Sequence, residues 1–145
     1  MRLVKIVLTL AVVLPAASYA SLGAAPSGSS SGVKSLLANQ PGAASYSVHE
    51  SVTSDGVTVR EYTLPNNVVF AVTWQGPIRP DMSALLGSYF PNLVATGEAH
   101  PHGTGPMTER NGDLVIQSVG HPGRFFGKAY LPRLVPASVS ADELQ

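Results

Sequence analysis

The chain has 145 residues and a formal net charge of zero, and charged side chains make up only 12% of it. This length fits a single domain. Without an excess of Lys and Arg to displace counterions from phosphates, an electrostatic nucleic-acid binder is excluded. The chain also contains 14 Gly and 12 Pro, which predicts short elements joined by many turns.

The first twenty residues have the pattern of a secretory signal peptide. Arg2 and Lys5 precede an apolar run from Ile6 to Leu14, and small residues lead up to a cut after Ala20. The run is too short to span a hydrocarbon core of about 30 Å, so we expect no stable membrane anchor once it is removed. The chain has no Cys, hence no lipid-bearing cysteine and no disulfide. We therefore predict an exported protein, periplasmic or secreted.

The remaining chain divides by composition. Residues 21–45 are dominated by Gly, Ala, Ser and Pro and are predicted to be a flexible leader, with a short apolar island at 33–38 that favours a helical turn. A single domain is predicted over 46–135, interrupted by a polar linker at 97–111, and 136–145 reads as a polar C-terminal tail.

Three strands are predicted to form a meander at the start of the domain. Apolar and polar residues alternate from Tyr46 to Val52, Asp55-Gly56 favours a tight turn, and the return strand covers 57–64. The apolar phase of that return strand changes, which predicts a bulge near Arg60-Glu61. The third strand, 68–75, is apolar on both faces and is therefore expected to be covered on both sides.

A helix is predicted from about 82 to 90, with Asp81 as its N-cap and Pro91 stopping or kinking it. A second hairpin follows, with strands at 114–119 and 124–131. Together these elements predict an α+β fold, with an antiparallel sheet of about five strands and one main helix packed on it. Trp74 is expected to lie buried between sheet and helix. The predicted structural core comprises Val68, Phe70, Val72, Trp74, Leu85, Leu86 and Tyr89.

Several segments resemble one known family. They are Glu61-Tyr62, the strand and turn from Val68 to Pro77, the helical block Leu85 to Pro91, Gly112 to Ile116 with Gly120-His121, and Phe126 to Pro132. In this order they are similar to a bacterial family called domain of unknown function 2844, over about Tyr46 to Pro136. The resemblance implies a small exported bacterial protein with one domain and no assigned biochemical role. It provides no catalytic residues.

Histidines offer the main alternative chemistry. His100 and His102 lie two residues apart, His49 and His121 could join them, and Glu98 is the nearest carboxylate. Imidazoles bind zinc and copper, so a small metal-dependent factor or enzyme, with His100, His102 and His121 as ligands, is the alternative to a non-enzymatic protein. A solvated polar loop is the simpler interpretation of the same residues.

No catalytic constellation is found, and no cofactor is predicted. The one Gly-x-Ser-x-Gly match, at 28–32, has no strand before it, as a nucleophile elbow requires. Glu50 and Glu61 could face each other across the first hairpin, but polarity at a solvated edge beside Arg60 is the expected role.

Phe125-Phe126 gives the clearest indication of a binding surface. Adjacent strand residues point to opposite faces, so if one ring faces the core the other must be covered or form an exposed apolar patch. We therefore expect an exported, non-enzymatic binding module of the cell envelope. Its partner would be an envelope protein or a small ligand, met through one sheet face or a sheet edge.

Overall fold

The computed structural model describes residues 21–26, 36–37, 46–99 and 106–145. These residues form an α+β fold, with one antiparallel sheet and two consecutive helices. None of the described helices is long and apolar enough to cross a membrane. The described strands are β1 (Leu36–Leu37), β2 (Ser47–Val52), β3 (Thr58–Thr63), β4 (Val69–Gly76), β5 (Met107–Asn111), β6 (Leu114–His121) and β7 (Arg124–Tyr130).

The seven described strands are ordered β1-β2-β3-β4-β7-β6-β5, and all neighbours are antiparallel. The predicted meander is β2-β3-β4, and the predicted second hairpin is β6-β7. Because β4 pairs with β7, hairpin and meander form one sheet rather than two separate units. The sheet exceeds the predicted five strands by β1 and β5, one at each edge.

Both additional strands lie in segments for which the sequence predicted something else. Leu36–Leu37 pairs with β2 as a strand, not as a helical turn. The predicted linker at 97–111 contains the end of a helix and all of β5. Four of the five residues of β5 are polar, and as an edge strand it needs no continuous apolar pattern.

The bulge predicted in β3 is absent there, since β3 pairs with β2 without interruption, and the extra residue lies in β4. The register of β3 against β4 shifts between Tyr62 and Thr63, not at Arg60-Glu61, and Phe70 is the β4 residue without a partner. One strand has an extra residue there, and its alternation of faces is interrupted.

This bulge overturns the predicted grouping of the core residues. Phe70 packs in a different apolar cluster from Val72 and Trp74, whereas Val69 packs with those two. Val68, predicted to share their face, precedes the strand and is half-buried. The period-two pattern fails here because a residue opposite no partner moves every later side chain to the other face.

The helical segment has three parts. They are α1 (Met82–Leu86), a 3₁₀ turn (Gly87–Tyr89) and α2 (Phe90–Ala99). Asp81 caps α1 as predicted, since its carboxylate accepts hydrogen bonds from the N–H groups of Ser83 and Ala84 at 2.9 and 3.3 Å. Pro91 does not end the helix. It lies in the first turn of α2, where a missing N–H leaves no helical hydrogen bond unmade.

We call the side of the sheet packed against these helices the helix-covered face. Trp74, Leu85 and Leu86 are buried there, and Tyr89 is partly buried against them. Trp74 is 2% exposed and therefore lies in the core, as expected.

Leu22 also belongs to this core. Its side chain is fully buried, and its N–H donates to the carbonyl oxygen of Leu85 at 3.0 Å. The N–H of Gly23 donates to the carbonyl oxygen of Val69 at 2.8 Å. The start of the predicted flexible leader is thus anchored to α1 and β4. Its local composition gave no sign of this, because one leucine among small residues is not a pattern.

Candidate functional site

The other side of the sheet, the second face, is covered at one end and open at the other. At the covered end an apolar cluster includes Tyr62, Phe70 and Ala71, and the C-terminal segment packs on it. At the opposite end no described residue covers the face. The boundary between the two ends forms the candidate site.

The C-terminal segment forms a wall along that boundary. Ser140 caps a 3₁₀ turn at Ala141–Glu143 with a reciprocal capping box. Leu144 is only 3% exposed, and the hydroxyl of Tyr62 donates to the main-chain oxygen of Gln145 at 2.7 Å. Burial raises the pKa of Tyr62 above its ordinary value of 10.0, so this phenol keeps its proton and its role as donor. The segment predicted as a tail from 136 is therefore packed structure.

Lys128 connects the wall to the sheet. Its Nζ donates to the carbonyl oxygen of Ala141 at 2.6 Å and lies 3.8 Å from the carboxylate of Asp142. The lysine side chain is 17% exposed, whereas the aspartate is 96% exposed, so the carbonyl contact is the stronger of the two. The ammonium group of Lys128 thus binds the wall to the sheet.

A groove of about 820 Å³ runs along the wall, and it is the candidate functional site. The groove crosses from β2 to β6, and Asp142, Leu144 and Gln145 line it on the wall side. Its sheet side is lined by Glu50, Thr58, Arg60, Thr73, Gln75, Gln117, Val119, Arg124, Phe126 and Lys128, with the glycines between them. This volume lies within the range of roughly 300–1,000 Å³ that small-molecule sites occupy.

The floor of the groove is polar and internally paired. The Arg60 Nε donates to the Glu50 carboxylate at 2.7 Å across β2 and β3, and both side chains are about one-third exposed. Thr73, Gln75 and Gln117 add hydroxyl and amide groups. The side-chain charges along the groove nearly cancel, so the floor offers many hydrogen-bonding groups and little net charge.

The rim of the groove is apolar. Phe126 is 46% exposed, and its cross-strand neighbour Val119 is 37% exposed. On the other side Phe126 lies opposite Gln75, which is opposite Thr58. An aromatic ring in water beside amides and hydroxyls is the combination of apolar surface and polar groups that ligand sites use.

The two adjacent phenylalanines separate as their alternation predicts. Phe126 lines the groove, whereas Phe125 lies outside it and is half-buried, with the Arg79 guanidinium carbon 5.9 Å from its ring centroid. Phe125 is therefore not part of the candidate site, although it was predicted together with Phe126. This distance is within the range of a cation–π contact.

The structure separates the two carboxylates of the first hairpin. Glu50 lies in the groove and pairs with Arg60, but Glu61 is 1% exposed and stands beside Val72 on the helix-covered face. The expectation that Glu61 contributes to a solvated edge is wrong. Consecutive residues Arg60 and Glu61 have to point to opposite faces.

The histidines are not brought together among the described residues. His49 pairs in register with Glu61, and His121 ends β6, exposed, with Nδ1 3.2 Å from the carbonyl oxygen of Pro122. His100 and His102 lie outside the described residues. Within the described ranges no group of three His, Cys, Asp or Glu side chains is placed to hold a metal. The His100, His102 and His121 site therefore stays a prediction.

Sequence reasoning found Phe126 but missed the rest of the groove. Each of its floor residues is an ordinary polar residue on the solvent side of a strand, and such residues carry no signal singly. Only the register places Gln75 of β4 opposite Phe126 of β7, fifty-one positions later. The wall was missed because Leu144 stands alone in a polar stretch.

The comparisons with known proteins give a family and no activity. No curated protein and no solved structure matches the chain. The family model described as "Protein of unknown function (DUF2844)" matches residues 18–144, which include the anchored Leu22, every strand of the groove and Leu144 of its wall. The chain therefore belongs to the DUF2844 family.

Proposed function

We propose that this protein is an exported, non-enzymatic binding module that holds a ligand of the cell envelope in the groove of the second face. The groove is the observation that carries the proposal. It combines a concave shape, a half-exposed aromatic ring and a floor of amides, hydroxyls and an ion pair. No acid–base pair or nucleophile among the described groove residues suggests a reaction.

The shape of the site favours a small ligand over a protein. Specific protein interfaces bury about 800 Å² on each partner and are centred on large desolvated anchors. The groove instead confines its occupant between a wall and a polar floor. Of the two aromatic residues that line it, Trp74 is buried and Phe126 is exposed, so Phe126 provides the main apolar contact.

Export is the second half of the proposal. The charged start, the apolar run and the small residues before Ser21 support it. The proposed cut also leaves the core residue Leu22 in the mature chain, two residues after the cleavage point. Fractionation of the producing cell with mass spectrometry should find the protein outside the cytoplasm with Ser21 as its first residue. A cytoplasmic protein that retains residues 1–20 would contradict export.

Binding is tested with immobilised protein and envelope extract of the producing cell. The Phe126→Glu variant should retain much less envelope material than the unaltered protein, because it places a carboxylate at the apolar rim. Val94→Glu is the matched control, since Val94 is 41% exposed on α2 and outside the groove. Equal retention by Phe126→Glu and the unaltered protein would contradict a function of the groove.

A further inference from the structure

The hydrogen-bonding groups of the groove restrict the chemistry of its ligand. Its amides carry both donors and acceptors, and its hydroxyls do so as well. Gln75 is exposed, and Gln117 is half-buried. A ligand that matches them needs many groups that donate and accept at once, spread along an extended shape.

An anionic ligand does not match. Arg60 is paired with Glu50 at 2.7 Å, and Lys128 is bonded to the Ala141 carbonyl oxygen at 2.6 Å. Phosphate or carboxylate recognition uses cations directed at the ligand, often through two parallel bonds. Of the three groove cations, Arg60 and Lys128 already have partners, and Asp142 adds a carboxylate to the wall. Arg124, the third, is exposed at the start of β7 and is a single cation rather than a cluster directed at one position.

A lipid chain or another purely apolar ligand does not match either. It would cover Gln75, Gln117 and the Glu50–Arg60 pair without offering them hydrogen bonds. Burying unpaired polar groups costs several kcal/mol in total, at roughly 1–3 kcal/mol per group. The exposed parts of Phe126 and Val119 are too small an apolar surface to offset that cost.

A sugar ring satisfies both requirements. It has one face of C–H groups, which packs against an aromatic ring, and a periphery of hydroxyls that donate and accept. In the register of the sheet Phe126 has Gln75 directly opposite, while Gln117 faces the next residue of the same face, Lys128. The aromatic platform and the amides are thus arranged around one position.

Resting on the binding function proposed above, we propose that the groove binds a neutral oligosaccharide. One sugar ring stacks on Phe126, and its hydroxyls bond to Gln75 and Gln117. The groove crosses five adjacent strands from β2 to β6, about 19 Å at the usual strand spacing, so the ligand is a short chain of sugars. Further rings reach the Glu50–Arg60 pair.

The test is a titration of the isotope-labelled purified protein, followed by backbone amide NMR shifts. Cellotetraose, maltotetraose and chitotetraose are the neutral probes, and tetragalacturonate is the anionic one. We expect at least one neutral tetrasaccharide to shift groove residues on β4, β6 and β7, with affinity falling from tetrasaccharide to disaccharide to monosaccharide. Phe126→Ala should weaken binding about tenfold or more, a change of about 1.4 kcal/mol. Phe126→Trp should retain binding, and Val94→Ala should leave it unchanged.

Three results would overturn the proposal. The first is no shift with any neutral tetrasaccharide at about 10 mM, which is tenfold above a weak Kd of about 1 mM. The second is tighter binding of tetragalacturonate than of the neutral tetrasaccharides. The third is binding by Phe126→Ala that equals binding by the unaltered protein. If envelope retention still depends on Phe126 while the neutral tetrasaccharides fail, the ligand class is wrong and the binding function stands. If both fail, the groove is not a binding site.

Discussion

The indole ring of Trp74 lies across Gly127, its cross-strand neighbour on β7. A Cβ at position 127 would lie 2.5 Å from Cζ2 of Trp74 and 2.5 Å from the main-chain oxygen of Gln117. The absence of a side chain at 127 thus lets the largest residue of β4 lie flat on the sheet beneath the helices.

We expect Gly127→Ala to destabilise the protein by roughly 1–3 kcal/mol, because the added methyl displaces either the indole or the strand. Chemical denaturation of the variant measures this. The double variant Gly127→Ala/Trp74→Ala should lose less stability than the sum of the losses in the two single variants, because the ring that the added methyl meets is gone. Full additivity would show that Trp74 and Gly127 are not coupled.

Trp74→Ala should cost roughly 3–5 kcal/mol, the usual range for removing a buried aromatic ring. Trp74→Phe should cost clearly less, because the buried Nε1 has no hydrogen-bond partner and its loss leaves nothing unpaired. Trp74 is the only tryptophan, so its fluorescence reports the site directly. Blue-shifted emission that resists quenching is expected, and a red-shifted folded-state spectrum would contradict the core position.

Leu144→Ala should release the wall of the groove. The side chain packs with Tyr62, Phe70 and Ala71, and truncating a buried leucine costs roughly 2–5 kcal/mol. Limited proteolysis should then cut after residue 136 in the variant while the unaltered segment resists. Ala137→Ser, an exposed change in the same segment, serves as the control. Equal cutting of the unaltered protein and Leu144→Ala would show that the wall does not depend on this contact.

The cap of α1 gives a prediction for acid. Hydrogen bonds from Ser83 and Ala84 hold the pKa of Asp81 below its ordinary value of 3.8. Because the folded-state pKa is lowered, the stabilisation is present above the unfolded value and is lost as pH falls through the folded value. Asp81→Asn keeps a capping side chain but does not titrate, so its stability relative to the unaltered protein should improve as pH drops below about 4. An unchanged difference between the two proteins from pH 7 to 3 would contradict this. Asp81→Ala should cost about 1 kcal/mol at neutral pH.

Metal analysis of the purified protein separates the alternative function from the binding module. We expect no stoichiometric metal, since two imidazoles in a polar segment make an incomplete ligand set. Stoichiometric zinc or copper that is lost in the His100→Ala/His102→Ala double variant would instead support the metal-dependent factor. The variant His49→Ala serves as a control, because it shows whether removing a different histidine also causes loss of the metal.

The elements with a strong local pattern could be predicted from the sequence. Both hairpins, the cap at Asp81 and the burial of Trp74 follow from alternation, turn residues and helical spacing, and the family was found from short segments in fixed order. Features that depend on a distant partner could not be predicted. Leu22 is a single leucine among small residues and Leu144 a single leucine in a polar stretch, and only the folded sheet shows what they contact.

The groove was only half predictable for the same reason. Phe125-Phe126 indicated that one ring would be exposed, because adjacent residues of a strand point to opposite faces of the sheet. The polar floor depends on the register between β4, β6 and β7, which no local pattern indicates. The bulge at Phe70 in addition changes which face of the sheet the residues of β4 occupy. A face assignment made by period two alone was bound to fail on one side of that residue.

The polar side chains of β5, which kept it from being predicted as a strand, also affect whether two copies of the protein associate through the edge of the sheet. As the outermost described strand on its side of the sheet, β5 presents main-chain groups that another chain could extend by pairing. It carries Glu109 and Arg110 at its middle, and Asn111 donates through Nδ2 to the carbonyl oxygen of Asn92 on α2 at 3.0 Å. Charge along this strand and its fastening to the helix oppose edge-to-edge aggregation. A strand that contributes only Met107 to the apolar core thus protects one edge of the described sheet from pairing with another chain.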